Sequence, residues 1–254
     1  RPHVMSENLF FSTIELADDH LILGHRLSEW CGHAPTLEED LSLPNLGLDL
    51  LGAATNLYSL ASNLEGGKRS EDELAFGRIE KEYKNCLLVE KPNENFGHTM
   101  LKQLYFCVFM KLFWNECNSS KNKTLAAISA KSQKEMVYHI RHSGEWVIRL
   151  GDGTEESHSK MTEAINELHP YTEELFYMSE ASVNCAKKNY LPDRLKIKKD
   201  WEKEIKDIFK EATLPYPSVA HFQIGGRNGI HTETMGHLIS TMQYLQRTYP
   251  GQIW

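Results

Sequence analysis

An all-α fold, with four long helices bundled beside shorter ones, is what this chain predicts, on three observations. Apolar residues recur at helical spacing along most of its 254 residues. No series of segments with strand-like alternation interrupts them. Breaks rich in Gly and Pro divide the chain into long segments joined by short loops, the pattern of a helix bundle. With 41% hydrophobic and 25% charged residues it has the balance of a folded domain. Neither an internal repeat nor a low-complexity linker appears, so residues 6–254 read as a single domain.

The first helix is expected over residues 7–31, on the stripe Leu9, Ile14, Leu16, Leu21, Leu23, Leu27 and Trp30, with residues 32–35 ending it. Thr36 caps the second, whose first turn places Glu38, Glu39 and Asp40 at the positive end of the helix dipole. Pro44 predicts a kink or a restart. Beyond it Leu46, Leu50, Ala53, Leu57, Leu60 and Leu64 hold the stripe to a stop at Gly66-Gly67. A short acidic helix at 71–78 leads into irregular chain through Pro92. The helix at 94–117 is apolar nearly all round, the mark of a buried central helix. The next, at 124–150, carries Leu125, Ile128, Met136, Trp146, Val147 and Leu150 on one stripe and breaks at Gly151-Asp152-Gly153. One long helix is expected over 154–187, bent at Pro170. A charged helix at 194–211 follows, and a last one at 230–248 after the Gly-rich turn at 225–229.

A formal net charge of -7 argues against a nucleic-acid partner, which would need a basic face to release phosphate counterions. No apolar run reaches the roughly 18 residues of a membrane span; Lys102, Gln103 and Lys111 interrupt the best one. Five scattered cysteines (Cys31, Cys86, Cys107, Cys117, Cys185) without a C-x-x-C pair fit reduced thiols in a reducing compartment, so the expected location is cytoplasmic. Residues 1–5, Arg1-Pro-His-Val-Met5, look like a tag remnant and the start methionine, with no signal peptide before them.

A long helix bundle raises the question of a carboxylate-bridged di-iron centre, which takes a carboxylate from each of two helices and Glu-x-x-His from each of the others. The i, i+3 spacing puts both ligands on one helical face. The literal match, Glu155-Glu-Ser-His158, opens a solvated helix and reads as favourable charge at its start. On the helix at 124–150, Glu135 and His139 share the apolar stripe, but at i, i+4, and Met136 stands three before the histidine. A buried Glu135–His139 hydrogen bond is the plainer reading. Asp49 faces inward on the second helix, with Gly52 where its histidine would stand, and reads as a hydrogen-bonded acid. The helix at 94–117 offers only Gln103 and Cys107. Asp49, Glu135 and His139 are therefore the candidates for a vestigial or alternative metal site, and a complete site is not expected. The turn Gly225-Gly-Arg-Asn-Gly229 reads as a connector rather than an anion site, and His231-Thr-Glu233 with His237 lacks a nucleophile in context.

Several ordered motifs carry a family resemblance. Glu29-Trp-Cys-Gly-His-Ala-Pro35, Asn45-Leu-Gly-Leu-Asp-Leu-Leu-Gly52, Ala127-Ile-Ser-Ala-Lys131 and Lys134-Glu-Met-Val-Tyr-His139 are among them. Arg149-Leu-Gly-Asp-Gly-Thr154, Gly225-Gly-Arg-Asn-Gly-Ile-His-Thr-Glu233, Gln243-Tyr-Leu-Gln-Arg247 and Pro250-Gly-Gln-Ile-Trp254 complete the set. Together they resemble the C-subunit family of phenylacetyl-CoA epoxidase, proteins of phenylacetate degradation, over nearly the whole chain from about Ser6. The resemblance implies a ferritin-like fold and a structural, non-catalytic subunit of a ring-epoxidising monooxygenase of aerobic aromatic degradation. It implies no cofactor in this chain, with the di-iron centre held by a homologous catalytic A subunit. The other partners implied are further epoxidase subunits and a reductase; alone, the chain is open to forming a homodimer. The alternative is a ferritin-like oxidase or oxygenase with its own unusual metal site. The two long helices at the start of the chain, between Leu9 and Leu64, are expected to supply the surface that meets the catalytic partner.

Overall fold

The computed structural model describes residues 2–248, and every regular element among them is helical. Four long helices make the bundle: α1 (Pro2–Ser28), α2 (Leu37–Leu64), α5 (Phe96–Cys117) and α6 (Lys123–Gly151). Between the two hairpins the chain crosses over through α3 (Glu71–Phe76) and α4 (Leu87–Glu90). After them come α7 (Glu155–Leu168), α8 (Glu180–Lys187), α9 (Lys198–Glu211) and α10 (Thr234–Thr248). No helix among the described residues is long and apolar enough to cross a membrane. The fold is thus the all-α bundle with shorter additions that the periodicity predicts, in keeping with the ferritin-like fold that the resemblance implies.

Local chemistry sets the ends. Thr36 Oγ1 accepts from the Glu39 N–H at 3.2 Å and Asn95 Oδ1 from the His98 N–H at 3.0 Å, each satisfying a first-turn donor. Packing α1 along α2 and α5 along α6 buries both apolar stripes, and α5 at the centre is covered on nearly every side. α1 is enclosed as well, because α8 and α4 cover the faces that α2 does not.

Three expectations need correction. α2 does not restart at Pro44, which stands inside one continuous helix. The carbonyl that Pro44 leaves without its helical donor is that of Asp40, near the wet start of the helix, where water can replace the bond. The helix expected over 154–187 is instead two, α7 and α8, joined by 3-10 turns at His169–Tyr171 and Glu173–Phe176. Pro170 lacks the N–H that would continue α7, and Ser179 Oγ accepts from the Ser182 N–H at 3.2 Å to start α8 afresh. Finally, α10 begins at Thr234 rather than 230, because residues 225–233 form a strap over the surface of the bundle. The motif at 250–254 and Arg1 of the expected tag remnant lie outside the described residues.

Candidate functional site

At the centre of the bundle α6 presents His139, which is completely buried. Its Nε2 stands 2.9 Å from Asp49 Oδ2 on α2, and its Nδ1 stands 2.9 Å from Gln103 Nε2 on α5. An amide N–H can only donate, so Nδ1 accepts and Nε2 carries the proton given to the Asp49 carboxylate. The same Gln103 amide lies 3.1 Å from Cys107 Sγ. Burial pushes the Cys107 thiol well up, which keeps it protonated and unreactive. Asp49 itself is 35% exposed, at the seam between α2 and α6.

Of the three candidate residues, then, the fold joins Asp49 to His139 and leaves Glu135 apart. The expected Glu135–His139 hydrogen bond does not form: Asp49 takes the ring nitrogen, and Glu135 sits half-buried with neither hydrogen bond nor ion pair among the described residues. Its carboxyl lies above the usual range, first from burial and then from the neighbouring Asp49 charge.

A di-iron pair does not fit this donor set. Both nitrogens of His139 are engaged, Met136 is buried where its carboxylate partner would stand, and Gln103 supplies a neutral amide. Gly52 leaves open space at the position three after Asp49. α1 brings His20, whose Nδ1 is bonded to Leu16 O at 2.7 Å and whose buried Nε2 has no hydrogen-bond partner among the described residues. Among the described residues no group of three or more His, Cys, Asp or Glu side chains is arranged to hold a metal ion. Glu155 and His158 serve the start of α7, where Thr154 and Ser157 form a reciprocal cap and His158 Nδ1 bonds Gly151 O at 2.8 Å.

A second polar centre escaped the sequence reading. Arg227 of the strap is buried under α1, its Nη1 and Nη2 each 2.8 Å from the two Asp19 carboxylate oxygens, with Glu15 Oε2 at 3.7 Å from Nε. Burial opposes its charge, but Asp19 and its neighbours outweigh that and hold it firmly protonated. Glu15 shows the opposite balance: burial dominates and raises its pKa despite Arg227. One step along α1, Asp18 pairs with Arg78 and accepts from Tyr58 Oη at 2.5 Å. Further down the strap His231 Nδ1 is 2.7 Å from Glu90 Oε1, and the Thr232 N–H and Oγ1 bind Glu90 Oε2 at 2.8 and 2.6 Å. The Gly225 N–H donates to Glu174 Oε2 at 2.8 Å. The turn at 225–229 is thus a connector, as expected, but one keyed into the core. The available signal was Glu15, Asp18 and Asp19 set among the apolar positions of α1, which demand buried partners.

Two comparisons bear on this arrangement. The family model described as phenylacetic acid catabolic protein matches residues 1–254. Over 242 residues the chain is 45% identical to the C subunit of 1,2-phenylacetyl-CoA epoxidase from Escherichia coli (strain K12), covering 95% of this chain and 97% of that protein. The motifs that carry the likeness fall on the features just described: 45–52 holds Asp49, 134–139 holds Met136 and His139, and 225–233 is the strap. By its sequence along its whole length, the chain belongs to the phenylacetic acid catabolic protein family.

Proposed function

We propose that this chain is a structural, non-catalytic subunit of a phenylacetyl-CoA epoxidase complex, holding in place a homologous catalytic subunit that carries the di-iron centre. One observation carries the reading: the bundle's central histidine spends both ring nitrogens on Asp49 and Gln103, so its ring is held by neighbours of its own chain. A carboxylate-bridged pair would need Glu-x-x-His twice over, and Met136 and Gly52 stand in those places. The likeness to a named epoxidase subunit supports membership of such an assembly. Cytoplasmic location, other epoxidase subunits and a reductase belong to the same reading.

The surface for the catalytic subunit is better sought on α2 than on α1, since α1 is enclosed and, among the described residues, exposes only Val4 and Phe11 as large apolar side chains. α2 turns Leu37, Leu41 and Leu48 outward, all more than 60% exposed, at spacings that place them on one face. Tyr138 of α6, next to His139 in the chain, is exposed as well. An apolar row of this kind suits a contact between subunits, and in the isolated chain it offers a homodimer contact.

Iron content tests the reading. Expressed alone with ample iron, the chain is expected to hold far less than one iron per molecule. About two per chain with oxygen-dependent turnover would establish the alternative, an oxidase or oxygenase using Asp49, Glu135 and His139. Co-purification tests the surface: Leu41→Glu with Leu48→Glu should abolish capture of the catalytic subunit while leaving the melting temperature unchanged. Undiminished capture would remove α2 as the contact.

A further inference from the structure

A cavity of about 430 Å³ lies away from the His139 cluster, between residues 10–14 of α1, α3 and the segment 78–84. Its floor is apolar: Phe10, Ile14 and Leu74 are buried there, and the half-exposed Phe11 ring meets Phe10 edge-on. Its rim is cationic, with Arg69, Arg78, Lys81 and Lys84 against the single carboxylate of Glu82. In a chain where acids outnumber bases 35 to 28, that inversion of sign is local and specific.

Two of the four cations are already committed. Arg78 is paired with Asp18, and Arg69 makes a two-pronged contact with Glu65 at 3.0 and 3.1 Å. The two lysines are not. Lys84 Nζ reaches only the Lys81 carbonyl oxygen at 3.2 Å, and neither ammonium has an ion pair among the described residues. Their backbone is nonetheless fixed, because the Lys84 N–H donates to Asp18 Oδ2 at 2.8 Å and Arg78 Nη1 holds Glu82 O at 2.9 Å. A preformed apolar hollow with a few convergent polar groups at its mouth is the form of a small-ligand site.

We propose that this cavity binds a small amphipathic anion: an aryl or short acyl group lying on Phe10, Ile14 and Leu74, with its anionic head between Lys81 and Lys84. The carboxylate of a free acid and the phosphates of a carrier thioester both supply such a head; the apolar body and the lysine pair recognise either. The site does not depend on the subunit reading, since none of its residues faces the Asp49 seam.

The test uses the intact chain and anilinonaphthalene sulfonate, an aryl anion that fluoresces when its ring system is desolvated. Saturable binding is expected, with displacement by phenylacetate or octanoate if the head is a carboxylate and by phenylacetyl-CoA if it is a phosphate carrier. Lys81→Glu with Lys84→Glu, both at the rim, should weaken binding about tenfold, or about 1.4 kcal/mol, with an unchanged melting temperature. Equal displacement by the neutral phenylacetamide would overturn the anionic head, and displacement by coenzyme A lacking an acyl group would overturn the apolar floor. Affinity unchanged in the lysine variant, or no saturable binding, would dismiss the site.

Discussion

Removing the Arg227 guanidinium would leave Asp19 buried without its counter-charge. Arg227→Met is therefore expected to destabilise the fold by about 3–5 kcal/mol, read from urea unfolding. Adding Asp19→Asn should recover part of the loss, because a neutral amide still accepts from the Cys86 N–H that now bonds Asp19 Oδ1 at 2.8 Å. His169 contributes to the acid limb, as does His98, whose pKa is also lowered to about 4 by burial and then by the Lys102 charge. Burial alone lowers the pKa of His169 to about 4, and its Nδ1 accepts from Tyr105 Oη at 2.8 Å. Because the folded value lies below the unfolded one, near 6.5, this contribution is complete above pH 6.5 and is lost as pH falls towards 4. At pH 5 the loss from His169 should be about 2 kcal/mol, and His169→Gln should remove that share of the acid limb from a stability profile. Asp49 and His139 were legible as candidates from their place on apolar stripes. Their bond to each other was not, since 90 residues separate them and helical spacing speaks only for neighbours three or four apart.

The long helices were legible as elements because each carries a stripe or an all-round apolar surface and a recognisable cap. The 154–187 segment misled because its apolar positions continue in helical register on both sides of Pro170; only the tertiary anchors there, such as Arg194 Nη1 on Leu175 O at 2.8 Å, reveal the break. The strap was legible as Gly-rich chain, but not as a keyed element, for its partners lie on α1, α4 and the 173–176 turn. Its glycines are required by close approach. A Cβ on Gly226 would collide with the Asn85 carbonyl, and Gly229 holds φ +75° with its α-hydrogen side against Lys81 O. Gly226→Ala is expected to unseat the strap, giving faster hydrogen exchange at residues 225–233 and a lower melting temperature. An unchanged exchange pattern there would show that the strap tolerates the extra carbon.

For the whole molecule, ordinary side-chain packing secures the two hairpins, whereas charge secures the outer chain to them. Asp18 draws in the 78–84 segment, Asp19 the strap, and Glu90 the start of the 231–234 turn. A chain stopped after Leu214 would keep all four long helices yet strand Asp19 and Glu90 in the core. It is expected to lose cooperative thermal unfolding and to bind a hydrophobic dye across an expanded core. A sharp transition at the full-length temperature would mean that water readily takes the strap's place.

The pairing of Asp19 with Arg227 spans 208 residues, so α1, once it has left a ribosome, waits for a segment far behind it. At the usual pace of synthesis that interval is roughly ten to forty seconds. Throughout it the nascent bundle carries an acidic face that cannot close. The bundle is thus completed only when the strap has emerged, and a message cut short before that point would yield a product that quality control can recognise by its open core.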